Sequence, residues 1–346
     1  MSRMRGACPP PYVWPMKAIV QERYGSPDVL EFQDVDMPVA ADNEVLVQVR
    51  AAAVNAYDWH IMRGDPYLAR LVGPSLAFGG PKRKIRGRDF AGLVDAVGKD
   101  VRRFKPGDEV YGDLGDADGA FAEYVCVPED QVERKPANLS FEQAAAMPLA
   151  GLTALKGLRD EAKVQAGQQV LVNGASGGVG TFAVQIAKSL GAEVTAVCSA
   201  RNVDLVTSLG ADHVVDYARE DFTLGDRRYD VVFDLVGNRS LAELRRALAP
   251  GGTVVLSGGG VSRGGSMIGP IGLMIKAQLA ARFRRHPLLV LQTSPSKEIL
   301  ASLRELAEAG EVVPAIDRTF KLSEVPDAIR YVEEEHARAK VVITVV

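Results

Sequence analysis

The chain has 346 residues, 47% hydrophobic and 25% charged, which indicates a globular protein rather than a disordered one and predicts two domains. With 41 basic and 44 acidic residues the net charge is −3, so no overall basic field favours nucleic acid or an anionic membrane. The three cysteines are far apart and form no CxxC pair, which indicates a reducing compartment, here expected to be the cytoplasm, and no ready zinc site.

Residues 1–15 are predicted to be an N-terminal extension. Three consecutive prolines exclude a helix there, and the stretch lacks the apolar core of a signal peptide. Met16 opens "MKAIVQERYG", which is typical of a first strand. The apolar stretch "MIGPIGLMIKAQLAARF" is interrupted by Pro270 and Lys276 and is too short to span a bilayer.

Residues 16–142 show short β-like runs bounded by glycine and proline. "EVLVQVRAAAV" alternates, and "AGLVDAVG" and "GAFAEYVCVP" are further strand candidates. Short strands with this punctuation predict a compact β-barrel-like domain.

The rhythm changes after about residue 143, where strands and helices alternate through five predicted strands. This order implies parallel β-α-β units covered on both faces. A helix is predicted after "VLVNGAS", and Gly191 is placed to end it with a left-handed cap. The strand at the end of the sequence, "AKVVITVV", is expected to return to the first domain, because the parallel run is complete without it.

The glycine-rich turn "NGASGGVG" fits the dinucleotide fingerprint G-x-G-x-x-G, with Ala175, Gly177 and Gly180 at its defined positions. A middle residue without Cβ lets a pyrophosphate approach the backbone, and amides at the helix start meet its negative charge. An ordinary tight βα turn is the alternative, whereas the absence of Lys-Ser/Thr excludes the phosphate loop of ATPases. The predicted cofactor-binding residues here are Ala175, Ser176, Gly177, Gly178, Val179 and Gly180.

The end of the second strand indicates which dinucleotide binds. "EVTAVCSARN" carries Ser199 and Arg201 at the place where an NAD site commonly has a carboxylate for the ribose 2′-hydroxyl. Arg201 can pair with a 2′-phosphate through charge-assisted hydrogen bonds, so NADP(H) is predicted. The alternative makes Ser199 or Asn202 a helix N-cap and Arg201 a solvated surface charge.

Further segments carry a family resemblance, among them "MKAIVQERYGSPDVLEF", "AAAVNAYDWHIMRG", "GRDFAGLVDAVGKDVRRFKPGDEVYG", "AAAMPLAGLTAL" and "LGADHVVDY". With the glycine turn, they make the chain similar to the medium-chain dehydrogenase/reductase superfamily, in its zinc-free quinone oxidoreductase-like branch. The resemblance implies an α/β fold. It has a GroES-like, β-rich catalytic domain (16–142 and 313–346) and an inserted Rossmann NADP-binding domain with a doubly wound parallel sheet (143–312).

The resemblance also implies chemistry without a metal. Zinc alcohol dehydrogenases of this superfamily carry a cysteine where this chain has Asn55 and a histidine-glutamate pair where it has "GRDF". Three scattered cysteines and four histidines cannot rebuild those ligand sets. An NADPH-dependent enzyme that transfers hydride to a quinone or an α,β-unsaturated carbonyl is therefore expected, with hydrogen-bond donors stabilising the oxygen anion that develops.

Three catalytic residues follow from the family pattern. Asn55 and Asp58 match "VNxxD", His60 falls where quinone oxidoreductases often have a tyrosine, and Tyr67 lies near a second such tyrosine. We expect Asn55, His60 and Tyr67 to line the substrate pocket, with His60 or Tyr67 donating a proton or hydrogen bond. The alternatives are that Asp58 only caps the following helix and that Tyr67 is a packing aromatic.

The remaining cofactor contacts are implied by the resemblance. Thr153 should lie near the nicotinamide, Tyr217 near the adenosine phosphate, and Lys340 near the cofactor. Further predicted contacts at strand ends, on the cleft side of the sheet, are Gly237, Asn238, Gly258 and Gly259.

Residues 260–297 are glycine-rich, then apolar, then basic. Among a lid, a substrate wall, a subunit contact and a membrane-surface helix, a subunit or substrate contact is favoured, and family members are often homodimers. Two other functions stay open, because a fold does not fix a function. One is a zinc-independent aldehyde or ketone reductase, and the other is a cofactor-binding scaffold or sensor with little turnover.

Overall fold

The computed structural model describes residues 15–65, 70, 76–77, 80–257, 287–334 and 337–345. Tyr67, Gly258 and Gly259, three of the predicted site residues, lie outside the described residues. The same holds for most of the 260–297 segment and for nearly all of the N-terminal extension. The described chain contains helices together with a mainly antiparallel sheet, a parallel sheet and two antiparallel sheets of two strands each, which confirms the predicted α/β class.

The strands are named in chain order. They are β1 (Pro15–Gln21), β2 (Leu30–Asp36), β3 (Glu44–Val54), β4 (Leu76–Ala77), β5 (Gly80–Pro81), β6 (Asp89–Val97), β7 (Glu109–Asp113), β8 (Tyr124–Pro128), β9 (Val132–Arg134), β10 (Gln169–Asn173), β11 (Glu193–Cys198), β12 (His213–Asp216), β13 (Tyr229–Asp234), β14 (Leu248–Leu256), β15 (Leu288–Val290), β16 (Ile316–Lys321) and β17 (Lys340–Thr344).

The helices are named in the same way. They are α1 (Ala56–Arg63), α2 (Phe141–Ala145), α3 (Pro148–Leu155), α4 (Gly178–Ser189), α5 (Val203–Ser208), α6 (Leu241–Arg246), α7 (Lys297–Glu308) and α8 (Val325–Glu334). A short π-helix, Lys156–Glu161, continues α3. Short 3₁₀ turns lie at Pro27–Val29, Gly115–Ala117, Glu129–Gln131, Ala200–Asn202 and Leu322–Glu324.

The first sheet combines residues from both halves of the sequence. Its order is β16-β17-β3-β6-β7-β9, and β8 pairs with β3. β17 runs antiparallel to β3, with Val341 opposite Val54, and β16 runs parallel to β17. The strand at the end of the sequence thus joins the sheet formed by residues 44–134, although the predicted domain boundaries stay a prediction.

The second sheet is parallel throughout and has the order β12-β11-β10-β13-β14-β15. Numbered within this sheet the order is 3-2-1-4-5-6, that of a doubly wound dinucleotide-binding fold, in which ligands bind where the order reverses beside the first strand. The predicted count of five strands is wrong by one. β15 has only three residues inside the segment whose pattern gave no clear element, too few to show an alternation.

The helix after the glycine turn forms as the periodicity predicts. The buried residues of α4 include Phe182, Ala183, Ile186 and Ala187, and they pack in the core of the second sheet. Gly191 has φ 80°, the left-handed conformation expected just beyond a helix C-terminus. The predicted helix is therefore confirmed, including its end.

The two sheets are joined through α7. The hydroxyl of Tyr111 on β7 donates to the carbonyl of Leu300 on α7 at 2.6 Å, and burial raises the pKa of Tyr111 well above its ordinary value. Arg304 of α7 lies 3.1 Å from Glu133 of β9. These buried contacts fix α7, and the cleft beside it, to the antiparallel sheet. In the described parts of the chain no helix has the length and apolar character needed to cross a membrane.

Candidate active site

The glycine-rich turn joins β10 to α4. Gly174 follows the last residue of β10 and has a left-handed backbone, with φ 86°. The N–H groups of Gly174 and Ala175 donate to the carbonyl of Val197 on β11, at 3.2 and 3.1 Å. Ala175 departs from the first glycine of the fingerprint without strain, because the left-handed residue of this turn is Gly174, one position earlier.

Gly180 and Gly177 differ in whether the surrounding structure has room for a side chain. A Cβ on Gly180 would lie 2.2 Å from the carbonyl oxygen of Gly174, so α4 packs on the turn too closely for any side chain. Gly177 has an extended backbone (φ −82°, ψ 177°) that any residue adopts, and a Cβ there would meet only the Gly174 oxygen, at 3.4 Å. The fold itself therefore requires glycine at position 180 but leaves the space in front of Gly177 open.

The start of α4 carries backbone N–H donors next to this space. The first hydrogen bond within the helix runs from the N–H of Thr181 to the carbonyl of Gly177, at 3.0 Å. The N–H groups of Gly178, Val179 and Gly180 precede it and have no acceptor inside the helix. The first turn of α4 has no acidic residue and no side-chain cap. Such a helix start, with its partial positive charge, fits the diphosphate of a dinucleotide.

The tip of β11 is tied to the glycine turn. The side-chain amide of Asn202 is buried and donates to Ser176 Oγ at 2.9 Å and to Ser199 Oγ at 3.3 Å. Ser199 and Asn202 occupy N-cap positions, of the turn Ala200–Asn202 and of α5, but neither side chain makes a capping hydrogen bond. These polar side chains instead connect the end of β11 to the glycine-rich turn.

The residues predicted for the adenosine end lie around the same tip. Arg201 is exposed, and the residues from 199 to 202 include no carboxylate. The N–H of Tyr217 donates to the carbonyl of Cys198 at 3.2 Å, and its side chain is 57% exposed. An exposed aromatic ring and a guanidinium therefore flank the end of β11.

A second polar network lies where β10 and β13 end side by side. The Nδ2 of Asn173 donates to Asp234 Oδ1 at 2.8 Å and to Asn238 Oδ1 at 3.1 Å. The same Asp234 oxygen accepts the N–H groups of Val236 and Gly237, at 3.1 and 3.0 Å. The network fixes the predicted contacts Gly237 and Asn238 at the carboxyl edge of the parallel sheet, next to the glycine turn.

A buried ionic cluster forms where the two sheets meet. Lys340 Nζ donates to Asn55 Oδ1 at 2.6 Å and lies 3.3 Å from Asp89 Oδ2, and Asn55 Nδ2 donates to that carboxylate at 3.0 Å. The exposed fractions are 8% for Asn55, 2% for Lys340 and zero for Asp89. Burial raises the pKa of Asp89, and the Lys340 ammonium opposes that rise. We call these three side chains the buried triad.

The buried triad lies against the glycine turn. The N–H of Ala339, next to Lys340, donates to the carbonyl of Ser176 at 2.7 Å, and Ala339 pairs with Gly177 in a β-bridge. A Cβ on Gly178 would lie 3.2 Å from the Cδ of Lys340. The structure thus brings together Asn55 and Lys340, residues predicted separately for substrate and cofactor.

Thr153 lies on α3, close to the same carboxylate. Its hydroxyl donates to the carbonyl of Leu149, one turn earlier, at 2.6 Å, and the N–H of Leu149 donates to Asp89 Oδ1 at 3.0 Å. Thr153 is 5% exposed. The hydroxyl proton is therefore committed to the helix, while the oxygen keeps its acceptor capacity.

The start of α1 shows that Asp58 caps the helix. Its Oδ2 accepts the backbone N–H of Asn55 at 2.7 Å, in a capping box with the Asn55 side chain. Burial raises the pKa of Asp58 to about 7, and the hydrogen bond from Asn55 opposes that rise. The alternative interpretation of Asp58 as a cap is confirmed, and this cap orients Asn55.

His60 lies further along α1, away from these contacts. Its ring stacks on Trp59 with a centroid distance of 3.6 Å, and its buried Nδ1 makes no hydrogen bond with the described residues. Burial lowers the pKa of His60, while the charges of Asp65 and Glu333 act in the opposite direction. The neutral imidazole favoured by burial carries one N–H donor.

Two buried ion pairs involve arginines of the loop that leads into β6. Arg88, next to Asp89, makes two hydrogen bonds to Asp113, at 2.9 and 2.8 Å. Arg86 lies 3.1 Å from Asp118, and both side chains are fully buried. Across the described part of the chain, no three His, Cys, Asp or Glu side chains are grouped so that they could hold a metal ion.

Comparisons with known proteins agree with this architecture. Residues 41–137 match the family described as "Alcohol dehydrogenase GroES-like domain", and residues 209–343 match "Zinc-binding dehydrogenase". A 2-methylene-furan-3-one reductase from Solanum lycopersicum is 36% identical over 340 residues, covering 95% of this chain and 79% of the relative. The chain belongs to the medium-chain dehydrogenase/reductase superfamily, in its quinone oxidoreductase-like branch.

Other superfamily members extend the likeness. A chloroplastic NADPH-dependent alkenal/one oxidoreductase from Arabidopsis thaliana is 34% identical over 340 residues, covering 95% of this chain and 79% of that protein. The solved structure of a quinone oxidoreductase from Coxiella burnetii superposes with a TM-score of 0.83 at 33% identity, covering 96% of this chain and all of that one. This medium-chain dehydrogenase/reductase is therefore an oxidoreductase that uses a nicotinamide cofactor.

Sequence reasoning missed several residues of this superfamily member's site. Asp89, Asn173 and Asp234 are buried and make the hydrogen bonds that hold the predicted residues in place. Asp89 had a signal, because "GRDF" replaces a metal-binding pair of the family. Asn173 and Asp234 had a weaker one, since each ends a parallel strand at the ligand-binding edge. The homodimer and the cytoplasmic location stay predictions.

Proposed function

We propose that the protein is an NADPH-dependent oxidoreductase that reduces a quinone or an α,β-unsaturated carbonyl compound without zinc. The observation that carries the proposal is the open space in front of Gly177 at the uncapped start of α4, together with Arg201 in place of a carboxylate after β11. The names of the relatives support the acceptor class, since they describe reduction of a methylene-furanone, alkenals or enones, and quinones.

The chain would hold NADPH along the carboxyl edge of the parallel sheet. The amides of Gly178 to Gly180 would bind the diphosphate, and Arg201 with Ser199 would bind the 2′-phosphate. Tyr217 would cover the adenosine end, and Thr153 and Lys340 would border the nicotinamide. Bound there, the cofactor supplies the hydride.

The zinc-independent part of the proposal is supported by the buried triad. Asn55 stands where zinc relatives carry a cysteine, and both ends of its amide are already bonded within the protein, to Lys340 and to Asp89. An amide is also a poor zinc ligand compared with a thiolate or imidazole. Stabilising the oxygen anion of the reduced acceptor is therefore assigned to hydrogen-bond donors.

The identity of the proton donor stays within the predicted pair. His60 supports this role with a neutral imidazole on the helix that starts at Asn55, and Tyr67 follows that helix in sequence. Either donor would protonate the oxygen after hydride arrives at the carbon. Equal turnover by the wild type, His60→Ala and Tyr67→Phe would remove both assignments.

A turnover screen tests the reaction. NADPH and NADH oxidation are followed at 340 nm with quinones, enones, aldehydes and ketones as acceptors. We expect oxidation of NADPH with quinones or enones and little with simple aldehydes. Turnover of aldehydes or ketones alone would instead favour a zinc-independent carbonyl reductase. Tight NADPH binding without NADPH oxidation by any acceptor would favour a scaffold or sensor.

Matched variants test the cofactor site. Gly177→Ala should leave the melting temperature unchanged, because its Cβ meets no close atom, yet weaken NADPH binding at least tenfold by obstructing the diphosphate. Arg201→Ala should raise KM for NADPH about tenfold or more and leave KM for NADH unchanged. The reason is that the variant loses one charged contact to the 2′-phosphate, which NADH lacks. Equal losses for both cofactors would contradict the NADPH preference.

A further inference from the structure

We propose that Asp89 is a positioning residue that aligns the substrate side and the nicotinamide side of the site through one carboxylate. The inference rests on the proposed function for its kinetic readout only. Asp89 is the first residue of β6, immediately after Arg88, and its side chain is fully buried between the two sheets.

The two oxygens of Asp89 reach three different elements. Oδ1 accepts the N–H of Leu149 in the first turn of α3, at 3.0 Å. Oδ2 accepts from Asn55 Nδ2 at 3.0 Å and lies 3.3 Å from Lys340 Nζ. One carboxylate therefore contacts the N-cap of α1, the start of α3 and the start of β17.

Each of these elements carries a residue proposed for the reaction. α1 follows Asn55 and includes His60, and α3 carries Thr153, whose hydroxyl bonds back to the carbonyl of Leu149. β17 begins beside Ala339, which bonds to Ser176 of the glycine turn. A shift of Asp89 would therefore move α1 and α3 relative to the glycine-rich turn.

The chemistry of the contacts requires a carboxylate. All three partners are donors: a backbone N–H, a side-chain amide and an ammonium. In an Asp89→Asn variant one carboxylate oxygen becomes an NH₂ group, and either orientation of the amide sets a donor against a donor.

Asp113 offers a matched control. It is equally buried, lies opposite Asp89 on β7, and makes its side-chain contacts with Arg88 and the N–H of Gly115. Asp113→Asn also removes a buried carboxylate and leaves a charged partner. The contacts described for Asp113 do not include Asn55, Leu149 or Lys340, so its loss removes a nearby buried carboxylate while leaving the three hydrogen-bonding partners of Asp89 in place.

The experiment compares these variants by kcat, KM, the Kd for NADPH or NADH, and the melting temperature. We expect Asp89→Asn to lower kcat about 100-fold, as misplacement of reacting groups by about 1 Å does. Asp113→Asn should lower the melting temperature by a similar amount but change kcat less than threefold. Equal effects of both substitutions on kcat would overturn the proposal.

A double-variant cycle separates positioning from charge neutralisation. In the Lys340→Met background, Asp89→Asn should lower kcat at least a further tenfold, because either Asn55 or Leu149 still loses its acceptor and faces a donor instead. No further loss would mean that Asp89 only neutralises Lys340, and the proposal fails. This background also removes the unpaired buried ammonium, so it serves if Asp89→Asn alone does not fold.

Cofactor binding separates this proposal from the proposed function. If the wild type oxidises neither NADPH nor NADH with any acceptor, the proposed reaction is wrong, but the triad still borders the glycine turn. Asp89→Asn should then weaken cofactor binding tenfold or more while Asp113→Asn leaves it unchanged. Equal affinities of the two variants would overturn the positioning role independently of turnover.

Discussion

The two sheets bury polar groups of different kinds. In the antiparallel sheet and its loops, the described interior holds charged pairs, such as Arg86 with Asp118 and Lys340 with Asp89. In the parallel sheet, the described buried polar side chains are mainly amides and hydroxyls, such as Asn173, Asn202 and Thr195, with Asp234 as the carboxylate. The start of α4 carries its donors on the backbone with no acidic side chain in its first turn, whereas the antiparallel region holds its polar groups as buried ions.

The largest expected effect on stability comes from disrupting the buried ion pair between Arg86 and Asp118. Burial raises the pKa of Asp118 to about 7, against the charge of Arg86, so desolvation outweighs the attraction within the pair. Asp118→Leu should lower the free energy of unfolding by about 3–5 kcal/mol at pH 8, because Arg86 is left buried without a counter-charge.

An apolar replacement of both partners is the control for that prediction. Asp118→Leu with Arg86→Met should recover most of the loss, since two desolvation penalties disappear together. Urea unfolding at pH 8 measures both variants. A double variant as unstable as the single one would show that the pair contributes net stability.

The next effect concerns protonation of Asp58. Its pKa of about 7 in the folded protein exceeds the ordinary value near 3.9, so between these values the folded state holds a proton that the unfolded chain has lost. The contribution of Asp58 to stability therefore falls as pH rises from 4 to 7. Asp58→Asn still accepts the Asn55 N–H and cannot ionise, so its stability relative to wild type should increase by about 2–4 kcal/mol over that range.

The Asp58 prediction is checked by urea unfolding of both proteins at several pH values. Comparing the variant with wild type at the same pH removes the contribution of titrating groups that do not interact with Asp58. A difference that stays constant between pH 4 and 7 would contradict a raised pKa for Asp58.

A smaller effect is expected in the parallel sheet. Asn173→Ala removes one of three donors to Asp234 Oδ1 and the bond to Asn238, while the N–H groups of Val236 and Gly237 remain. The free energy of unfolding should fall by about 1–3 kcal/mol, the loss for one buried hydrogen-bonding group. Thermal unfolding detects it, and a loss as large as that of Asp118→Leu would break the comparison.

The smallest effect on the free energy of unfolding is expected for an exposed ion pair of the antiparallel region, and it tests whether burial rather than the number of charges determines the effect. Lys84 and Glu22 pair at 2.8 Å, with side chains 64% and 60% exposed. Glu22→Gln should change the free energy of unfolding by less than about 1 kcal/mol, because water screens the pair. The same urea titration measures it, and a change near that of Asp118→Leu would be inconsistent with this explanation.

Local patterns predicted most of the parallel half. The glycine turn, the helix face from Phe182 to Leu190 and the cap at Gly191 depend on residues close in sequence, and the structure forms them as expected. β15 was missed because three residues carry no period. The substitution of Ala175 for a glycine could be understood only once the backbone of Gly174 was known.

Long-range contacts account for what the sequence could not show. The pairing of Asp89 with Lys340 joins residues 251 positions apart, and that of Asn55 with Lys340 spans 285 positions. Each residue alone fits several roles, and only the return of β17 to β3 brings the three side chains together. The family resemblance indicated the neighbourhood of Asn55 and Lys340 but not their shared carboxylate.

The return of β17 also sets an order of events during synthesis. The ribosome makes Asp89 long before Lys340, and at about 5–20 residues per second the interval over 251 residues is roughly 10–50 s. In the later part of that time the glycine turn and its helix have been made, while the carboxylate of the nascent chain still has no ammonium to meet. The glycine turn and its helix can therefore form on the ribosome well before the buried triad is complete.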